Sequence, residues 1–168
     1  IGVKNIIILN ENRDPLFRGL LPNPIEVNLN DLKRNVLENK CDFGFASDSD
    51  ADRLGIIDEK GHYVSSNEIL ASLYYYLVKY KGLKGDIVKN CATSNLIDKV
   101  ASKLGYKCHE VDVGFKNITS KMHEVDALIG GESSGGLTIR NYNHEKDTTF
   151  AFSLFLEMVT NIQKSVSE

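Results

Sequence analysis

The chain has 168 residues, of which 42% are hydrophobic and 26% charged, and a formal net charge of −3. That balance excludes a protein built to grip nucleic acid through a basic surface, and it supplies enough apolar residues for one good-sized domain or a domain and a half. No apolar run reaches membrane-spanning length and no signal-peptide pattern is seen. Cys41, Cys91 and Cys108 are few, scattered and odd in number, so they read as free, buried or half-buried thiols in a reducing cytoplasm.

The chain begins at Ile1, in mid-pattern and without Met, which predicts a piece of a longer protein. The run "NIIILNE" (residues 5–11) reads as a buried strand, and "DPLFRGLLPNP" as a loop punctuated by Pro15, Gly19, Pro22 and Pro24. Leu32, Val36 and Leu37 recur at helical spacing over 30–40. "DFGFAS" (42–47) reads as a strand. "LGIIDEKGHYVSS" reads as a hairpin turning at Glu59-Lys60-Gly61. A long helix is expected from near Asn67 to before Gly82, with Leu70, Leu73, Leu77 and Val78 on its apolar face.

A strand at 86–91 precedes a helix capped by Thr93 or Ser94 at its start and Gly105 at its end. "KCHEVDV" is another strand, and "GFKNITSKMHEV" a loop running into a short helix. "DALIGGESSGGLTIR" is a strand, a glycine-rich turn and a strand. A final helix covers about 147–163, with Phe152, Phe155, Leu156 and Val159 on one face. Strands alternating with helices predict an α/β layered sheet. The boundary is placed at the hairpin, giving units 1–57 and 58–168.

The stretch "SDSDADR" places carboxylates at Asp48, Asp50 and Asp52 and a cation at Arg53. Three like charges at alternate positions invite a hard divalent ion, which takes oxygen ligands and completes its sphere with water or phosphate. Small Ser49 and Ala51 allow the chain to curl, and Arg53 is then expected to point elsewhere, toward a phosphate on the same ion. An EF-hand also uses D-x-D-x-D and would put Glu59 at its twelfth position. But Arg53 stands where the EF-hand needs glycine, and strands rather than helices flank the loop. A solvated acidic turn is the bland alternative.

Two further segments carry polar chemistry in loops. "GGESSGG" (130–136) offers Glu132, Ser133 and Ser134 to sugar hydroxyls, against the alternative of a flexible hairpin turn. "VGFK" (113–116) precedes a helix, whose N-terminus together with Lys116 can hold a phosphate, against the alternative of a solvated lysine. His62, His109, His123 and His144 share no metal-ligand spacing.

Taken in order, these segments resemble the α-D-phosphohexomutases, the phosphoglucomutase/phosphomannomutase family. "DPLFRGLLPNP" resembles the loop before the metal site, "DSDADR" the DGDADR magnesium loop and "VGFK" the VGxK segment. "GGESSGG" resembles the GEESGG-type sugar loop, and "KDTTFAFSLFLE" the KDGI-type helix start.

The resemblance implies the end of a second domain (1–57) and a third domain (58–168) of three-layer α/β/α type with a mixed, mostly parallel sheet. It implies Mg²⁺ at Asp48, Asp50 and Asp52, with Arg53 facing a phosphoserine and Lys116, after Gly114, near the transferring phosphate. Glu132 and Ser134 would hold sugar hydroxyls. Glucose 1,6-bisphosphate is implied as activator. The implied partners are a phosphosugar and the missing domains of the same polypeptide, with neither nucleic acid nor membrane.

Ser49 stands where the family has Gly or Pro, Ser133 follows the glutamate, and Thr148 replaces the Gly of KDG. No TSHNP-like phosphoserine loop or RxSGTEP-like phosphate loop is present, and neither Ser94 nor Ser134 has the context to replace that serine. The expected activity of the parent is interconversion of hexose 1-phosphate and 6-phosphate. Phosphoglucomutase is favoured, phosphomannomutase is next and phosphoglucosamine mutase third. The fragment itself is expected to be inactive. A non-catalytic α/β metal- or sugar-binding module is the rival.

Overall fold

The computed structural model describes residues 3–168. Helix α1 (Asn30–Glu38) leads into an antiparallel sheet of β1 (Phe43–Ser47), β2 (Leu54–Asp58) and β3 (Tyr63–Val64), in that order. Helix α2 (Ser66–Lys79) then enters a second sheet, made of β4 (Ile87–Asn90), β5 (Cys108–Val111), β6 (Ile129–Gly131) and β7 (Leu137–Ile139). Its spatial order is β5-β4-β6-β7. β4 runs parallel to both β5 and β6, and only β7 is antiparallel. The crossovers are α3 (Leu96–Leu104) and α4 (Phe115–Val125), and α5 (Thr148–Ile162) closes the chain.

Strand alternation divides the core. Ile87 and Ile129 join Ile69, Leu73, Ile97, Ala101 and Phe155 in the main apolar cluster, so α2, α3 and α5 cover one face of the second sheet. Val88 packs with Ile118 and Met122 of α4 on the other face. This is the expected α/β/α layering with a mixed, mostly parallel sheet. The first sheet is sandwiched in the same way. Ile57 meets Leu29 and Val36 beside α1. Leu54 and Ile56 belong to the main cluster, and Phe45 stacks on Phe152 of α5 at 4.1 Å between ring centroids. Among the described residues no helix is long and apolar enough to cross a membrane.

Several sequence expectations need correction. Residues 5–11 form no strand. Ile6 and Ile8 are 68% and 65% exposed, and among the described residues no strand pairs with this segment to take its backbone hydrogen bonds. Helix α2 starts at Ser66, in line with the expected start near Asn67. Ser65 caps it in a capping box with Glu68, a signal present in the sequence as S-x-x-E. Thr93 does not cap α3. Its buried hydroxyl turns inward to Asn90, and Ser94 Oγ accepts from Leu96 N at 3.1 Å instead. The three thiols are free, but Cys91 is exposed.

The hairpin turn at Gly61 (φ +82°) is as expected, and α5 starts at Thr148 with Asp147 accepting from Phe150 N.

Candidate functional site

The pairing Ser47↔Leu54 closes residues 48–53 into a loop between β1 and β2. Asp48 Oδ1 accepts from Asp52 N at 2.9 Å and from Arg53 N at 3.1 Å, and these two bonds curl the loop. Ala51 takes φ +56°, a left-handed conformation uncommon for any residue with a Cβ. The curl brings a ligand oxygen from each of Asp48, Asp50 and Asp52 within 4.8 Å of the others. EF-hand geometry is ruled out, since strands flank the loop on both sides.

Arg53 departs from expectation. Its Nε turns back over the loop, 3.4 Å from Asp48 Oδ2 and 3.4 Å from Asp52 Oδ1. Carboxylates this close draw in the neighbouring cations, Arg53 among them. Neither contact meets hydrogen-bond geometry, so Asp52 Oδ1 and Arg53 Nε remain buried without hydrogen-bond partners. An orphaned carboxylate oxygen aimed into a cluster of three aspartates is the donor set that Mg²⁺ takes, so the residues fit that ion. Burial and the Asp52 carboxyl beside it push Asp48 above the usual carboxylate range. Burial acts in the same direction on Asp52, but the hydrogen bond from Lys146 prevails and holds it below.

The glycine-rich turn lies at the C-terminal end of β6, beside the C-terminal end of β4, and the connections leaving these two neighbours run to opposite sides, from β4 to β5 and from β6 to β7. Open α/β sheets place their ligands at such a switch point. Glu132 is only 9% exposed, and both its oxygens are engaged. Oε2 accepts from Asn90 Nδ2 at 3.0 Å and Oε1 from Ser134 Oγ at 2.6 Å. Asn90 Oδ1 in turn accepts from Thr93 Oγ1 at 2.8 Å, and Thr93 Oγ1 accepts from Ser133 N at 3.1 Å. The end of β4 thus holds the turn from beneath.

Gly114 (φ +127°) precedes α4 in a backbone conformation suited to glycine. Lys116, in the first turn of α4, is exposed. The structure does not bring Lys116 to the aspartates; that place belongs to Lys146. Lys146 Nζ contacts Asp52 Oδ2, lies 3.8 Å from Glu132 Oε1 and sits 5.7 Å from the centre of the Phe115 ring. The acidic loop, the glycine-rich turn and the α4 turn therefore converge around one lysine. Thr148 N, donating to Ala51 O at 2.9 Å, ties the start of α5 to the same loop.

Sequence reasoning missed three residues here. Lys146 was visible only as the first residue of "KDTTFAFSLFLE", with no role assigned to it. Asn90 and Thr93 looked like a strand end and a helix cap. His144, near the turn in sequence, stacks instead on His123 at 4.1 Å between ring centroids.

Two family models cover the chain. Phosphoglucomutase/phosphomannomutase domain II matches residues 2–61 and domain III matches 65–168. A phosphoglucosamine mutase from Nautilia profundicola is 40% identical over 112 residues, covering 66% of this chain and 26% of the relative. A phosphoglucomutase/phosphomannomutase from Thermococcus kodakarensis is 30% identical over 168 residues, covering 100% of this chain and 36% of the relative. The crystal structure of a putative phosphomannomutase from Thermus thermophilus is 34% identical with a TM-score of 0.86, covering 92% of this chain and 35% of that one.

A more distant structure, 15% identical with a TM-score of 0.55 over 73% of this chain and 31% of its own, shares the fold. It is an N-acetylphosphoglucosamine mutase from Aspergillus fumigatus in complex with GlcNAc-6P and magnesium. The chain spans 26% to 36% of the length of the Nautilia and Thermococcus relatives.

Proposed function

The chain belongs to the phosphoglucomutase/phosphomannomutase family, matching its domains II and III, and on that premise we propose that it supplies the metal loop and the sugar-gripping turn of a phosphohexomutase. In this reading the parent polypeptide interconverts hexose 1-phosphate and hexose 6-phosphate. A serine phosphate outside this chain donates and recovers the phosphoryl group. The observation that carries the reading is the convergence of Asp52, Glu132 and the Phe115 turn on Lys146. We place the division of labour at 1–57, ending in the metal loop, and 58–168, carrying the sugar turn.

Asp48, Asp50 and Asp52 would hold Mg²⁺, which supplies positive charge to a phosphoryl group in transfer. Glu132 accepts from sugar hydroxyls through lone pairs that Asn90 and Ser134 leave free, since a carboxylate has about four acceptor sites. Ser134, whose hydrogen is given to Glu132 Oε1, can accept from a sugar hydroxyl. Asn90 and Thr93 keep the turn from shifting as the sugar presents first one end and then the other. Lys116 would face the phosphoryl group from the first turn of α4, and Arg53, once an ion relieves the aspartates it now covers, would be free to turn toward the same group and neutralise its charge. The helix N-terminus behind Gly114 adds to that field. Glucose 1,6-bisphosphate would prime the donor serine of the parent.

Glucose phosphates are the first substrate on the form of the "GGESSGG" turn. The 40% identity to a phosphoglucosamine mutase favours a second reading, in which the sugar carries a 2-amino group. The test is turnover by the parent polypeptide of glucose, mannose and glucosamine 1-phosphates, with and without Glu132→Ala. Losing a hydrogen bond to a charged group costs about 1.5–3 kcal/mol, or roughly 10–150-fold in kcat/KM. Turnover in both directions left unchanged by Glu132→Ala would remove Glu132 from the site.

A further inference from the structure

Lys146 is placed to serve two sites. Its stem runs over Gly136, where a Cβ would overlap the Lys146 Cδ, and its ammonium sits beside the Phe115 ring. The side chain is only 20% exposed. The ammonium is held on Asp52 Oδ2, yet Glu132 Oε1 is 3.8 Å away, so a rotation of the flexible stem suffices to exchange one carboxylate for the other. The opposite oxygen of Asp52 is buried and lacks a hydrogen-bond partner. Ser134, already donating to Glu132 Oε1 at 2.6 Å, leaves that oxygen a free lone pair for a second donor.

We propose that Lys146 is an internal cation shared between the acidic loop and the glycine-rich turn, and that a divalent ion entering the aspartates drives it from Asp52 to Glu132. This rests on the reading of Asp48, Asp50 and Asp52 as the metal site. A doubly charged ion beside an ammonium in a half-buried cleft repels it, and Glu132 is the acceptor within reach. Glu132 therefore receives its cation, and with it a donor able to orient a bound hydroxyl or phosphoryl oxygen, only when the metal loop is filled. Coupling of this kind is reciprocal, so occupancy of the turn also changes the affinity for the ion. Lys146 is a positioning residue in this scheme, acting on the sugar through Glu132.

The test is direct titration of this chain with Mn²⁺, followed by electron paramagnetic resonance of the free ion, and with Mg²⁺ by calorimetry. Asp50→Ala identifies the site. Lys146→Met and Lys146→Gln should each bind the ion more tightly, on the order of tenfold by Coulomb's law for one charge removed beside a divalent ion. Lys146→Arg should stay near wild type. Glu132→Gln should weaken binding, because the ammonium loses its second acceptor and remains on Asp52. In the double variant Lys146→Met/Glu132→Gln that weakening should vanish.

Two results would overturn the proposal alone: ion binding indifferent to Lys146, or a Glu132→Gln effect of equal size with and without Lys146. Absence of any Asp50-dependent binding, in wild type and in the Lys146 variants, would instead remove the metal-site reading and the proposal with it.

Discussion

Asn90→Asp exchanges one atom and reverses the electrostatics beneath the glycine-rich turn. Asn90 Nδ2 donates to Glu132 Oε2 at 3.0 Å, and the two residues are 2% and 9% exposed. The substitution retains the acceptor that serves Ala92 N and Thr93 Oγ1 but sets a second carboxylate oxygen against Glu132. Two unit charges about 4 Å apart at an effective dielectric near 20 cost about 4 kcal/mol. We therefore expect a loss of about 3–5 kcal/mol at pH 7.5, which lowers Tm by about 6–20 °C for a domain of this size.

The sign with pH follows from linkage. Two carboxylates in contact share a proton, so in the variant the folded pair titrates above its unfolded values. The deficit is then full at high pH and shrinks as pH falls through the folded pKa. Asn90→Ala loses the charged hydrogen bond, about 1.5–3 kcal/mol, without adding a second charge. Urea and thermal melts of wild type and both variants at pH 7.5 and 5.5, followed by far-UV circular dichroism, measure this. If Asn90→Asp stays within about 1 kcal/mol of wild type at pH 7.5 and the difference does not move with pH, the Asn90–Glu132 bond does not hold the turn.

Ser65→Ala removes one half of a capping box and should lower stability by about 1 kcal/mol in a urea titration. Gly136→Ala puts a methyl into the Lys146 stem and should cost about 1–3 kcal/mol in the same assay, with Lys146 displaced from Asp52 in a crystal structure of the variant. Burial works to raise the Asp86 carboxyl, but the His109 hydrogen bond at 2.8 Å and the Lys107 amide hold it below its ordinary 3.8. Its contribution is therefore complete above that value and lost as pH falls through the folded one, so Asp86→Asn should flatten the acid limb of a stability–pH curve. Amide exchange should be faster over residues 5–39 than over 86–139. The first range contains exposed apolar residues such as Ile6 and Ile8, and the second contains the fully buried β4.

The fold class was legible because alternating strand and helix patterns are local. The acidic loop was legible because three aspartates at alternate positions need a common cause. Residues 5–11 misled because strand propensity is a property of side chains, whereas a strand exists only where a neighbour accepts its hydrogen bonds. Lys146, Asn90 and Thr93 were not legible because their roles arise between segments far apart in sequence. Lys146 meets Asp52 across 94 positions, and Asn90 meets Glu132 across 42. Arg53 was expected to face outward because the loop was read with its ion in place.

The central claim is that four loops, distant in sequence, form one half of a phosphosugar site. An isotope-labelled sample of this chain, titrated with glucose 1-phosphate in the presence of Mg²⁺ and followed by amide and side-chain resonances, addresses it directly. The account predicts that resonances at 48–53, 114–116, 132–134 and 146 move together along one saturation curve, and that Glu132→Ala abolishes the sugar-dependent part while the Mg²⁺-dependent shifts at 48–53 persist. Sugar-dependent shifts confined to other surfaces, or shifts at 132–134 that survive Glu132→Ala unchanged, would contradict it.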